Sequence, residues 1–126
     1  MSRQILAQER AKHALKKITA YENKSQDEQK LFNSYVASFG PMILMNGFGQ
    51  ACAFYMANKK SEHKDVLNAV EEWLKKEGRP FHGKEGHIVQ CITECDMSRY
   101  RLAQVEALAY LDWLKKFSKA FLNSEG

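Results

Sequence analysis

The fold class predicted for this chain is an all-α, compact bundle of five to six helices forming one domain over residues 1–126, on three observations. Its 126 residues include only two prolines and seven glycines, too few for the turns of a sandwich or barrel. Apolar residues recur at three- and four-residue spacing along most of the chain, the period of a helix with a buried face. With 44% hydrophobic side chains, a chain of this size can close one core without disulfide or metal staples.

The first helix is expected from Ser2 to about Tyr21, with Ile5, Leu6, Ala11, Ala14, Leu15 and Ile18 on its apolar side and Arg3, Arg10, Lys12, Lys16 and Lys17 elsewhere. A polar run, 22–26, separates it from a second helix opened by Asp27 and Glu28, acids that suit a positive helix end. Leu31, Phe32, Tyr35, Val36 and Phe39 line this helix, and Gly40 and Pro41 are expected to end it. Pro41 also fits the first turn of a third helix running to Asn58. The 19 residues from Gly40 to Asn58 carry no charge. Asn46, Gly47, Gly49 and Gln50 at their centre favour a core helix, buried on nearly every side, over a membrane span.

The fourth helix is expected to begin near Ser61, where Lys64 replaces the acid of a capping box, and to carry Val66, Leu67, Val70, Trp73 and Leu74 before Gly78 stops it. Residues 78–86 read as a loop. The run His87 to about Glu94 suits a short helix or a strand, and helix is preferred because no partner strand is evident. From Asp96 or Ser98 as N-cap, the last helix reaches about Asn123. Its stripe is Leu102, Val105, Leu108, Leu111, Leu114, Phe117 and Phe121, widened by Ala103, Ala107, Tyr110 and Trp113.

No catalytic constellation stands out. His87, Cys91 and Cys95 recur every four residues with His82 just before, but this is not the spacing of zinc knuckles, so no metal and no cofactor is expected. Glu9 and His13, four apart, read as a surface pair. The glycines of Asn46-Gly47-Phe48-Gly49-Gln50 read as a close helix approach, with the two amides satisfying buried backbone groups. Phosphate cradling is disfavoured there by the lack of a preceding strand or a Lys-Ser/Thr pair. Three cysteines cannot all pair within the chain, and the first residues lack the pattern of a secretory signal, so a reduced, cytoplasmic protein is expected.

Nineteen Lys and Arg against fifteen Asp and Glu give a net charge of +4. The basic residues cluster: Arg10, Lys16 and Lys17, then Lys59 and Lys60, then Arg99 and Arg101, then Lys115, Lys116 and Lys119, with Asp112 on the face of the last group. Acids at Glu71, Glu72 and Glu77 fall outside these clusters. Such segregation suits a protein that follows a phosphate backbone on one side and meets protein on another. These ten basic residues are the candidate RNA-binding set. The rival reading, a small helical DNA-binding regulator, requires a recognition helix, and no helix-turn-helix spacing stands out.

Tyr35 with Gly40-Pro41, Ile43, the 46–50 motif and Ala53-Phe54, followed by Ser98, Tyr100-Arg101, Glu106-Ala107-Leu108, Leu111 and Trp113-Leu114-Lys115-Lys116-Phe117, resembles one family over nearly the whole chain. It is the small helical subunit of the type III-B CRISPR effector, the RAMP-module (Cmr) complex. This chain departs from the family pattern in having Phe39-Gly40 before Pro41, where a leucine or similar residue is usual, and in its loop rich in glycine and histidine at His82 to His87. The resemblance implies a non-catalytic subunit, stacked with copies of itself in a minor filament beside the backbone RAMP subunits that carry the guide RNA. It implies binding of single-stranded target RNA, with sequence read by the guide, and no membrane association. Asn46, Gly47, Gly49, Gln50 and Glu106 are then expected to serve packing, whereas Tyr100 and Arg101 are the motif residues best suited to RNA.

Overall fold

The computed structural model describes residues 4–124, which form six α-helices and no strand. The helices are α1 (Leu6–Tyr21), α2 (Gln26–Asn46), α3 (Phe48–Ala57), α4 (Ser61–Leu74), α5 (Ile88–Glu94) and α6 (Met97–Phe121). The short run after His87 is a helix, and residues 75–87 form the expected loop. The expected start of the first helix at Ser2 and Arg3 lies outside the described residues. Ile5 is the N-cap, its N–H donating to Gln8 Oε1 at 3.0 Å.

Three boundaries differ from expectation. The second helix begins at Gln26, just ahead of its acids, because Ser25 caps it. The Ser25 side chain accepts from Glu28 N–H, and Glu28 Oε1 accepts from Ser25 N–H and Oγ–H in a reciprocal box. The same helix continues through Gly40-Pro41, with Pro41 on its exposed side; the proline leaves the Ala37 carbonyl without its helical donor. The break comes instead at Gly47, whose φ of 89° closes α2 and opens α3, a conformation that glycine adopts at little cost. The charge-free stretch is therefore two helix segments meeting at a corner, and no helix among the described residues is long and apolar enough to cross a membrane. The fourth helix stops at Leu74, four residues before Gly78.

Register follows from side-chain contacts. Arg10 meets Glu106 and His13 meets Tyr110, so α1 and α6 run parallel. Lys17 meets Glu72 and Tyr21 meets Asp65, so α1 and α4 are antiparallel. Asn33 Nδ2 donates to the Ser118 carbonyl while Phe48 N–H donates to Gln104 Oε1, so α2 runs antiparallel to α6. One end of the bundle thus gathers the C-terminal ends of α1 and α6 with the N-terminal ends of α2 and α4.

The core is built from Ile18, Phe32, Val36, Phe39, Ile43, Phe48, Tyr55, Val70, Leu74, Ile88, Tyr110 and Leu114 with small residues between them. On α6 the buried face is Ala103, Ala107, Tyr110, Leu111, Leu114 and Ser118, rotated from the expected stripe. Leu102 and Val105 are 62% and 65% exposed, because Ala103 and Ala107 admit the neighbouring helices closely where leucine would hold them off. Leu44, Met45 and Phe54 also face solvent, so the glycine-rich region is not apolar-buried all round.

Candidate nucleic-acid interface

The ten candidate basic residues separate into those held by the fold and those left to solvent. Arg10 belongs to the fold. Its Nε donates to Glu106 Oε2 at 2.5 Å and its Nη2 to Glu106 Oε1 at 3.0 Å. Trp73 Nε1 donates to the same carboxylate at 2.9 Å, and Arg79 stands 3.5 Å from its other oxygen. Burial alone would raise the Glu106 carboxyl, but bonds from Arg10 and Trp73 and the two guanidinium charges hold it below the usual carboxylate value. Arg79 also covers the Trp73 ring, 5.6 Å from its centroid. Glu106 therefore ties α1, α4 and the 75–87 loop to α6, the packing role expected of it.

Lys17 is held similarly, its Nζ 2.5 Å from Glu72. Glu72 also receives His13 Nε2 at 3.2 Å, and His13 Nδ1 meets the Tyr110 hydroxyl at 2.7 Å. His13 is buried between Trp73 and Tyr110 and is not the surface partner of Glu9 that spacing suggests. Burial lowers its pKa despite the opposing charge of Glu72.

The remaining candidates divide between the two ends of the bundle. Arg99 and Arg101 lie at the start of α6, and Arg99 donates to the Pro80 carbonyl at 2.5 Å. Lys115, Lys116 and Lys119 lie near the end of α6. Lys116 bonds Asp112 at 3.0 Å, an exposed pair worth little. Arg101 and Lys119, five turns apart, share one azimuth about 27 Å from each other. Lys59 and Lys60 occupy the link between α3 and α4, at the end where α6 finishes. Lys16, Lys59, Lys60, Arg101, Lys115 and Lys119 make no ion pair among the described residues.

Among acids near the α6 end, Glu28 sits in its capping box, Glu62 accepts from Ser61 Oγ and Asp65 accepts from Tyr21, while Glu22 and Asp27 are exposed. The lysines of α6 and of the α3–α4 link, Lys116 apart, keep their ammonium groups unpaired among the described residues, which favours a phosphate chain. Lys64, exposed one turn along from Lys60, was not singled out by sequence because no neighbouring base marked it.

Motif residues resolve as structural. The Tyr100 hydroxyl accepts from Gly49 N–H at 3.1 Å and Gln104 Oε1 from Phe48 N–H at 3.2 Å, so α6 satisfies the first free donors of α3. Tyr100 is thereby a cap for α3 rather than a free ring. Gly49 faces α5, but a Cβ there would lie in ordinary contact, 3.5 Å from Ile92 Cγ2, so the approach of α5 does not depend on glycine. Asn46 and Gln50 are exposed and do not satisfy buried backbone groups.

The four-residue spacing of His87, Cys91 and Cys95 is explained by α5 itself. His87 Nδ1 accepts from Gln90 N–H at 3.1 Å as N-cap, Cys95 is the C-cap, and the Cys91 and Cys95 thiols point at backbone carbonyls. Burial raises both thiols and Cys52, leaving them poor nucleophiles.

The model of a family described as CRISPR-associated protein (Cas_Cmr5) matches residues 6–121. The fold is also similar to a crystal structure of a CRISPR-associated Cmr5 family protein from Thermus thermophilus, at 21% identity and a TM-score of 0.78, over 94% of this chain and 99% of that one.

Proposed function

Since the chain belongs to the CRISPR-associated Cmr5 family, we propose that it is the non-catalytic small subunit of a type III-B Cmr complex, packing beside backbone RAMP subunits and copies of itself and holding single-stranded target RNA. One observation carries the RNA reading. Lys59, Lys60, Lys115 and Lys119, gathered at the end of the bundle where α6 finishes, make no ion pair among the described residues, and Lys116 pairs only with exposed Asp112. Binding of this kind is electrostatic, indifferent to sequence and weak for one copy, with specificity left to guide pairing. The exposed Leu44, Met45, Leu102 and Val105 suit contact with protein neighbours. A non-catalytic role is supported by the histidines: His13 is bonded on both ring nitrogens and His63 is enclosed by rings.

Two experiments test this reading. Affinity purification of the tagged chain from its native cells should recover a multi-subunit RAMP complex with a short guide RNA, and recovery of the chain alone or with duplex DNA would count against it. Reversal of Lys115, Lys116 and Lys119 to glutamate should lower single-strand RNA affinity and flatten its salt slope by about 0.7 for each phosphate no longer neutralised. An unchanged slope would dismiss this face as merely solvated.

A further inference from the structure

Phe54 stands apart from the other exposed apolar side chains because it presents an aromatic face beside a lysine cluster. It is 54% exposed on α3, three residues before that helix ends. Its inner edge rests on His63, ring centroids 6.4 Å apart at 76°. His63 is itself fixed, stacked on Tyr35 at 3.4 Å and edge-on to Tyr55 at 4.8 Å. Phe54 is therefore held from beneath by a packed cluster while its outer face meets water.

In the chain beyond it come Lys59 and Lys60 in the link and Lys64 on the first turn of α4, next to His63 in sequence, all exposed. Lys60 lies near enough to His63 that its charge, after burial, helps to lower the pKa of that ring. The acid of this segment, Glu62, is buried and accepts from Ser61 Oγ. His63 Nδ1 is buried without a hydrogen-bond partner among the described residues.

We propose that Phe54 is a stacking platform for one unpaired base of a single-stranded RNA, with Lys59, Lys60 and Lys64 holding the phosphates on either side. This deepens the RNA-binding reading and rests on it. A rigid exposed ring flanked by ammonium groups is the combination that binds single strands without regard to sequence. A protein partner on the same ring would have to cover three ammonium groups and match each of them, whereas RNA brings a phosphate with every base.

The test uses the full chain at low salt and two oligonucleotides of equal length, one a uridine strand with a central 2-aminopurine, the other abasic throughout. The wild type should bind the base-bearing strand more tightly and quench the 2-aminopurine. Phe54→Ala should weaken that strand about five- to a hundredfold, the range for removal of one stack, abolish the quenching and leave abasic binding unchanged. Lys59→Glu with Lys60→Glu should weaken both strands. The alanine variant loses the ring contacts to Tyr55 and His63 and should melt somewhat below the wild type while staying folded at the assay temperature, which a thermal melt checks.

Equal binding of the two strands by wild type, or no effect of Phe54→Ala, overturns the platform while leaving the RNA reading in place. Failure of wild type to bind either strand overturns both. Loss of self-association by Phe54→Ala in sedimentation, with RNA binding intact, assigns the ring to a protein contact and also overturns it.

Discussion

Glu106 shows how one side chain decides several contacts at once. Three hydrogen-bond donors from α1 and α4, and the Arg79 charge from the 75–87 loop, converge on its two oxygens. Truncation to alanine leaves two guanidinium groups and an indole N–H facing a gap, and removing one partner of a largely buried pair costs about 3 kcal/mol or more. Glu106→Ala should therefore lower the unfolding free energy by that amount, read as a fall in the urea midpoint at unchanged m-value. Neighbouring His13 gives a pH dependence whose sign is fixed by burial. Its folded pKa lies below 6.5, so the unfolded chain binds the proton first and stability falls as pH drops through 6.5 toward the folded value. His63, also lowered, adds to the same limb. Glu72 and Glu106, lowered from 4.5, contribute stability above 4.5 that is lost as pH falls further. Unfolding free energies measured across that range should show His13→Gln flattening the upper limb most, with a smaller change in the lower limb because His13 also helps to hold Glu72 down. Glu106 was legible as a packing residue through its motif, but its partners were not, because Arg10 stands 96 positions away and sequence spacing carries no information about such pairs.

Elements were easier to recognise than their ends. Whereas the short α5 was preferred over a strand only because no partner strand was evident, periodicity found the longer helices because each has an apolar side to bury. It misplaced the α2–α3 corner because Gly40-Pro41 looks like a stop, while the true stop depends on a φ of 89° at Gly47 and on what α6 offers the next helix. That dependence is testable. Gly47→Ala places a side chain in the left-handed region and should destabilise by about 1–2 kcal/mol. Gly49→Ala meets only ordinary contact with Ile92 and should be far milder. Tyr100→Phe removes the acceptor for Gly49 N–H and should cost about 1 kcal/mol, read from thermal melts of the three variants side by side. The expected α6 stripe holds at Leu111 and Leu114 and at the flanking Ala103, Ala107 and Tyr110, but fails at Leu102, Val105 and Phe121, for a related reason. Leucine and valine at 102 and 105 suggest an inward face, but the small side chains of Ala103 and Ala107 take it, and choosing between them requires knowing how closely α1 and α4 approach.

For the whole molecule, charge was legible only as clusters along the chain. The fold sorts them: it takes Arg10 and Lys17 for internal ion pairs and places Arg99 and Arg101 at the opposite end from Lys115, Lys116 and Lys119. Sites that far apart act independently. Arg101→Glu should lower the RNA salt slope by about 0.7, in addition to the change produced by reversing the three lysines, and titrations of both variants and their combination would show whether the two effects sum.

The parallel pairing of α1 with α6 has a consequence for how the protein is made. The partners of Arg10 and His13 lie 96 and 97 residues downstream, so on the ribosome the first helix emerges long before the helix that covers it. At about 5–20 residues per second, that interval is roughly 5–20 s. Throughout it Ala14 and Ile18, fully buried in the finished fold, lack the helix that covers them, and the bundle closes only once α6 has emerged to meet the first.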